Sequence, residues 1–128
     1  MVVLGVVVAA VAAFVASSVY YSVLSPVERR RVGAAAIDRG RPTPIKVVVE
    51  LVRTAMVAAV FAFVASRADL MSFPHALLLA VLLWVGFPLV LLTGSALWER
   101  VPVPTAVLHL GDWLLKLLII GAAVAVLN

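Results

Sequence analysis

Four long apolar runs separated by short polar stretches make up most of the chain: residues 2–24, 45–66, 74–97 and 105–127. At about 1.5 Å rise per residue, about 20 apolar residues in a helix cross the hydrocarbon core of a bilayer, and each run is long enough. The first and third runs carry no charge. The second is interrupted by Glu50 and Arg53, the fourth by His109, Asp112 and Lys116. Pro74 opens the third run, where a missing N–H costs little. Pro102 and Pro104 stop the third run from continuing into the fourth, and Pro88 should kink the third helix in mid-span. The first run lacks a basic leader and is longer than the apolar core of a signal peptide, so it reads as a retained span. The pattern predicts an all-α fold, an integral membrane four-helix transmembrane bundle. Residues 1–128 form one transmembrane domain with a basic loop at 25–44.

Composition strengthens that reading. Of 128 residues, 66% are hydrophobic and 12% charged, whereas a soluble domain is about 45–50% apolar and about 25% charged. The absence of cysteine excludes a disulfide framework and any thiolate site. The net charge of +4 is concentrated: Arg29, Arg30, Arg31, Arg39 and Arg41 lie between the first two runs, and Lys46 follows at the very start of the second. Such clustering holds a loop on the cytoplasmic side and brings its arginines to anionic lipid headgroups. The expectation is a multi-pass protein of the cell's inner (plasma) membrane with both termini on the non-cytoplasmic side. Nucleic acid is not an expected partner, because the basic stretch has no interleaved aromatics and no reading module. Within the loop, Val27 to Asp38 has the makings of a short surface helix. Tyr20, Tyr21 and Trp98 fall near the same boundary, as an aromatic belt would.

The charges inside the runs fall at one depth. Counted from the cytoplasmic starts of the second and fourth helices, Glu50 lies about 8 Å in, Arg53 about 12 Å, His109 about 6 Å, Asp112 about 10 Å and Lys116 about 16 Å. His109, Asp112 and Lys116 share one helical face at i, i+3 and i+7. Glu50, Arg53 and Thr54 form the matching stripe. Ser17, Ser18, Tyr20 and Tyr21 on the first helix, and Thr93 and Ser95 on the third, come to similar depth. A lone charge at the bilayer centre costs about 2.5–3.5 kcal/mol on insertion scales. Opposite charges at one depth reduce that cost by pairing, and Arg53 with Asp112, and Glu50 with Lys116 or His109, are the expected pairs. Three readings stay open: an ion, proton or substrate pathway, an ion-pair network that fixes helix register, and snorkelling of the basic side chains.

Other chemistry finds little support. His75 and His109 fall on opposite sides of the membrane and cannot share a metal, and His75 reads as a solvated interfacial residue. No nucleophile–base–acid set, phosphate-cradling loop or zinc-ligand spacing stands out, so no metal, cofactor or enzymatic activity is expected. Gly5, Ala9, Ala12, Ala13 and Ala16 give the first helix small residues that allow close backbone approach.

Three motifs carry a resemblance. Trp84-Val85-Gly86-Phe87, the turn Trp98-Glu99-Arg100, and His109-Leu110-Gly111-Asp112-Trp113-Leu114 resemble the pattern of the bacterial domain-of-unknown-function family 1761, small four-helix membrane proteins. Tyr20-Tyr21-Ser22-Val23-Leu24-Ser25-Pro26 is similar to the close of that family's first helix, with tyrosine where tryptophan is common and one residue more before the proline. The arginine-rich loop departs from the pattern. The resemblance implies fold and membrane location, and no activity. Small multidrug transporters also fit four spans into a short chain, but they carry a glutamate in the first helix, and here Glu50 is in the second. The functional expectation is a small transporter or channel-like protein using the charged layer. The alternative is a structural or accessory subunit that joins a homo-oligomer or larger membrane complex through its alanine-rich first helix.

The charge asymmetry predicts that a reporter fused after Asn128 is active outside the cytoplasm. A fusion active only inside the cell would overturn the topology.

Overall fold

The structure, a computed structural model, describes residues 2–33 and 43–127. Five α-helices follow one another among them: α1 (Val2–Val32), α2 (Pro44–Arg67), α3 (Phe73–Gly86), α4 (Pro88–Trp98) and α5 (Val103–Val126). With α3 and α4 taken as one broken span, four segments of the described residues are long and apolar enough to cross a membrane.

α1 is longer than the apolar run that predicts it. It continues through Pro26 to Val32, so Arg29, Arg30 and Arg31 form its last turn rather than an extended loop. A proline costs an internal helix one N–H and crowds the preceding turn. Ser22, whose carbonyl loses that N–H, turns its own hydroxyl back to the Ser18 carbonyl at 2.8 Å. Arg30 donates from Nε to the Pro26 carbonyl at 3.3 Å, which closes the turn beyond the proline. The basic side chains also suit the negative end of the helix. The separate surface helix expected from Val27 to Asp38 is therefore, as far as Val32, the end of α1. Arg39 and Arg41 lie outside the described residues.

The kink expected at Pro88 is a break. Phe87 sits at φ −123° and ψ −76° between α3 and α4. The residue before a proline is pushed out of the helical region by the proline ring, and Pro88 then starts α4, where its missing N–H is harmless. Hydrogen bonds from Phe87 N to Leu83 O and from Leu91 N to Phe87 O hold the two pieces end to end. α4 buries none of its side chains. At the other helix ends, Thr43 accepts from Lys46 N at 3.3 Å to cap α2. Asp69 and Arg100 take left-handed φ values of 59° and 57° just past α2 and α4. Leu70 N then reaches back to Ala65 O and Val101 N to Ser95 O, satisfying helix-end carbonyls.

α5 is the central helix, packed along α1 and α3 and touching α4; its contact with α2 is slight. The tight end of the bundle lies at the α2–α3 turn. There Ala58, Phe61, Ala62 and Ala65 of α2, Ala76, Leu79 and Ala80 of α3, and Leu117, Ile120 and Val124 of α5 close around Ala9 and Ala13 of α1. Gly5, Ala9, Ala13 and Ser17, four residues apart, make the buried seam of α1. The alanine face expected to dock a foreign partner is thus used inside the bundle. The exposed face of α1 is a stripe of valines instead, Val3, Val7, Val11, Val15, Val19 and Val23.

One glycine sets this packing. A Cβ on Gly121 would stand 3.1 Å from the Ala76 carbonyl oxygen and 3.2 Å from Phe61 Cζ. Gly121→Leu should cost about 1–3 kcal/mol by overpacking, read as a lower thermal midpoint in detergent. Gly94 has nothing within 4 Å of a Cβ, so Gly94→Ala should leave the midpoint unchanged or raise it, by up to about 1 kcal/mol of helix propensity.

Candidate functional site

Where α2 leans away from α5, at the end of the bundle opposite the alanine core, the chain leaves a chamber of about 590 Å³. α1 contributes Phe14, Ser17, Ser18, Tyr21 and Ser22, α2 contributes Glu50, Arg53 and Thr54, and α5 contributes His109, Asp112, Trp113 and Lys116. All five ionisable residues singled out inside the apolar runs line it. Helical spacing explains why they meet: a shared depth on two helices and a shared face on each leave the space between α2 and α5 as their common destination.

The polar groups form a line across three helices. Ser17 on α1 donates its hydroxyl to Asp112 Oδ1 at 2.5 Å. Asp112 Oδ2 lies 3.0 Å from Lys116 Nζ, one turn along α5. The same ammonium reaches Glu50 Oε1 on α2 at 3.5 Å. Glu50 Oε2 accepts from Arg53 at 2.7 Å. Burial falls steadily along the line: side-chain exposure is 3% at Asp112, 10% at Lys116, 36% at Glu50 and 63% at Arg53. Lys116 also stands 5.1 Å above the Trp113 ring, a cation–π contact that gains strength away from water. Among the described residues no buried side-chain nitrogen or oxygen lacks a hydrogen-bond partner.

One expected pairing is corrected. Arg53 does not cross to Asp112. It folds back on Glu50, three residues earlier on its own helix, because Asp112 is already occupied by Ser17 and Lys116. The expected Glu50–Lys116 pair is present. His109 stands at the rim, its Nδ1 2.6 Å from the Tyr21 hydroxyl.

The tyrosines are a second correction. Tyr20 and Tyr21 turn into the bundle instead of joining a lipid-facing belt. Their rings meet edge to face at 5.5 Å, and Tyr20 donates to the Leu108 carbonyl at 2.6 Å. Trp84 donates from Nε1 to the Leu110 carbonyl at 2.8 Å. Two aromatic donors thus bond the backbone of α5 at Leu108 and Leu110, just before Gly111. The Tyr20 hydroxyl lies where a Cβ on Gly111 would be. Trp98, at the end of α4, is 82% exposed.

Other residues placed at this depth go elsewhere. Thr93 and Ser95 spend their hydroxyls on Leu89 O and Leu91 O within α4, away from the chamber. Thr105 is buried outside it. His75 bonds Ser72 at 2.6 Å at the far end. Glu28 was not among the expected site residues, yet it is buried beside Tyr20, Arg31 and the start of α5, in a separate cavity of about 350 Å³. Trp113 was also missed as a site residue, since an aromatic in an apolar run carries no signal of its own. Ser17, expected at this depth, does line the chamber, one turn after Ala13 on the small-residue seam. Among the described residues no three histidines or acids gather as a metal-ligating group.

The motifs now have a structural meaning. His109, Gly111, Asp112 and Trp113 build one wall of the chamber and its close contact with Tyr20, and Trp84 braces that wall from behind. A family model, "Protein of unknown function (DUF1761)", matches residues 4–125. The chain belongs to this family. As a DUF1761 member with four apolar spans it is a multi-pass membrane protein. No curated protein and no solved structure matches the chain.

The contact between Gly111 and Tyr20 predicts a recoverable defect. Gly111→Ala forces the Tyr20 hydroxyl off the Leu108 carbonyl and should cost about 1–3 kcal/mol. Adding Tyr20→Phe removes the obstructing oxygen and should restore part of that loss. Purely additive effects in a double-mutant cycle of thermal stabilities would contradict this account.

Proposed function

We propose that the protein is a small transporter or channel-like protein, and that its chamber takes up a small polar solute carrying both charges or a single positive charge. What supports this reading is one observation: a cavity of about 590 Å³ reaches both Glu50 and Lys116. That is the volume of a typical small-molecule site. A sealed network would have left no such space. In this reading the network and the cavity divide the work. The deep pair, Asp112 with Lys116, lies within α5, is tied to α1 by the Ser17 hydroxyl, and keeps the floor charged but neutral overall. The outer pair, Glu50 with Arg53, is half open and can exchange its partner for a solute.

The role is binding and passage, not catalysis. Ser17 gives its single proton to Asp112 rather than to an imidazole, and His109 faces Tyr21, so the groups that could make a nucleophile and its base are not in sequence. We also propose that Arg29 and Arg30, exposed at the end of α1, lie against anionic headgroups and hold that end in the cytoplasm, with both termini outside.

The two pairs should respond differently. Lys116→Met leaves Asp112 buried beside an empty position, and breaking a buried pair typically costs about 3–5 kcal/mol. Lys116→Met with Asp112→Asn should recover much of that stability. Arg53→Gln should cost less than about 1 kcal/mol, as for exposed pairs, yet lower flux in liposomes tested with a panel of ions and small cations. Absence of flux in the parent, or flux unchanged by both Arg53→Gln and Glu50→Gln, would overturn the proposed function.

A further inference from the structure

The chamber does not end at the charged layer. A smaller cavity of about 220 Å³ shares Glu50, Arg53, Lys116 and Trp113 with it and continues past Val57. That cavity in turn shares Met56, Val57 and Trp113 with an apolar groove of about 470 Å³. The groove runs between α2, from Met56 to Val64, and the break at Phe87 and Pro88. Trp113 borders all three spaces. The break between α3 and α4 helps form the groove: α4 starts a new helix at Pro88 and buries no side chain.

Two features narrow the occupant. The first is length. From Arg53 to Val64, eleven residues of α2 rise about 16 Å. One leaflet of hydrocarbon is about 15 Å deep. A chain lying in the groove therefore has the length of an ordinary acyl chain, with its head drawn in to Arg53, about 12 Å below the start of α2. The second is charge. The head end presents two acidic and two basic side chains, Glu50 and Asp112 against Arg53 and Lys116. A balanced chamber of this kind disfavours a purely anionic head, which would leave the acids facing it. It suits a zwitterion whose phosphate takes Arg53, a residue built for phosphate oxygens, and whose ammonium takes Glu50. Ser18 and Ser22, whose protons go to α1 carbonyls, keep their hydroxyl oxygens as acceptors for the ammonium. At the groove end the walls carry no charge, as an acyl chain requires.

We propose that the chamber and groove form one site, and that its occupant is a single zwitterionic phospholipid with a primary amine, its head in the chamber and one chain in the groove. This rests on the reading of the chamber as a binding site and names the substrate class for it. Met56, Val60 and Phe87 along the groove are exposed, so such a lipid enters sideways from the bilayer without crossing water.

The test is photolabelling of the purified full-length protein in detergent with a phosphatidylethanolamine that carries a diazirine midway along one chain. Adducts should map to Met56, Val60, Leu83 and Phe87. Unlabelled phosphatidylethanolamine should compete at least about tenfold better than phosphatidylglycerol or diacylglycerol, the range expected for one charge-assisted hydrogen bond. Soluble phosphoethanolamine should compete far more weakly than the lipid. Arg53→Gln should cut the labelling about tenfold. Val57→Trp, at the junction of the two spaces, should move adducts out of the groove, while Val11→Trp on the exposed face of α1 should change nothing. The thermal midpoint of each variant shows that it is folded.

Adducts spread over all lipid-facing helices, or labelling indifferent to both Arg53→Gln and Val57→Trp, would refute the lipid site. Phosphoethanolamine competing as well as the whole lipid would also refute it, and would leave a soluble zwitterion in the chamber. Groove labelling without any small-solute flux would uphold the lipid site while removing the proposed small-solute transport. Flux without groove labelling would do the reverse.

Discussion

The ammonium of Lys116 is the point on which the polar half of the bundle depends. A charge this deep in an apolar segment is costly unless paired, and here it faces two carboxylates from two helices and the ring of Trp113. Asp112, the more buried partner, is held from its other side by Ser17. The line from Ser17 to Arg53 therefore joins α1, α5 and α2 at one depth. Direct packing between α2 and α5 is slight. The ion pair supplies there a connection that apolar contact supplies elsewhere.

The two ends of the bundle use different physics. At the α2–α3 turn, alanines and Gly121 let helices approach until backbone and ring atoms touch. Small residues are the usual means of tight packing in lipid, where burial of apolar surface drives little association. At the other end, large polar side chains hold the helices apart and enclose space. α2 is shared by both ends: its second half is locked into the alanine core, and its first half leans away. That geometry produces the chamber. It also explains why one wall, α5, has to be rigid. Tyr20 and Trp84 pin α5 through the carbonyls of Leu108 and Leu110, just before Gly111, where the absence of a side chain leaves room for the tyrosine hydroxyl. The residues of this chain that carry the resemblance to DUF1761 are thus largely those that shape and brace this wall.

Much of the fold was legible because the bilayer imposes simple rules. Backbone polar groups must be satisfied within each span, so long apolar runs mean helices, and four such runs mean four spans. The charged layer was legible for a related reason. A charge costs so much in hydrocarbon that Glu50, Arg53, Asp112 and Lys116 stand out against their background, and rise per residue converts position into depth. The end of α1 was less legible. A proline followed by three arginines looks like a loop, and only local hydrogen bonds at Ser22 and Arg30 show how a helix passes through it.

Partner choice was the part that the chain could not announce. Depth and face bring several acids and bases within reach of one another, but which pair forms depends on fractions of an ångström set by helix tilt and by third residues. Ser17 claims one oxygen of Asp112, so Arg53 turns to Glu50. Tyr20 and Tyr21 have the composition of a membrane belt, and only the rotation of α1 against α5 turns them inward. The sequence by itself determined the class, the number of spans and the depth of the charges, because those follow from solvation free energy summed along one chain. The tertiary structure alone decided the pairs, the chamber and the groove beside Trp113. Those depend on the space left between helices after packing, and no single helix carries that quantity in its own residues.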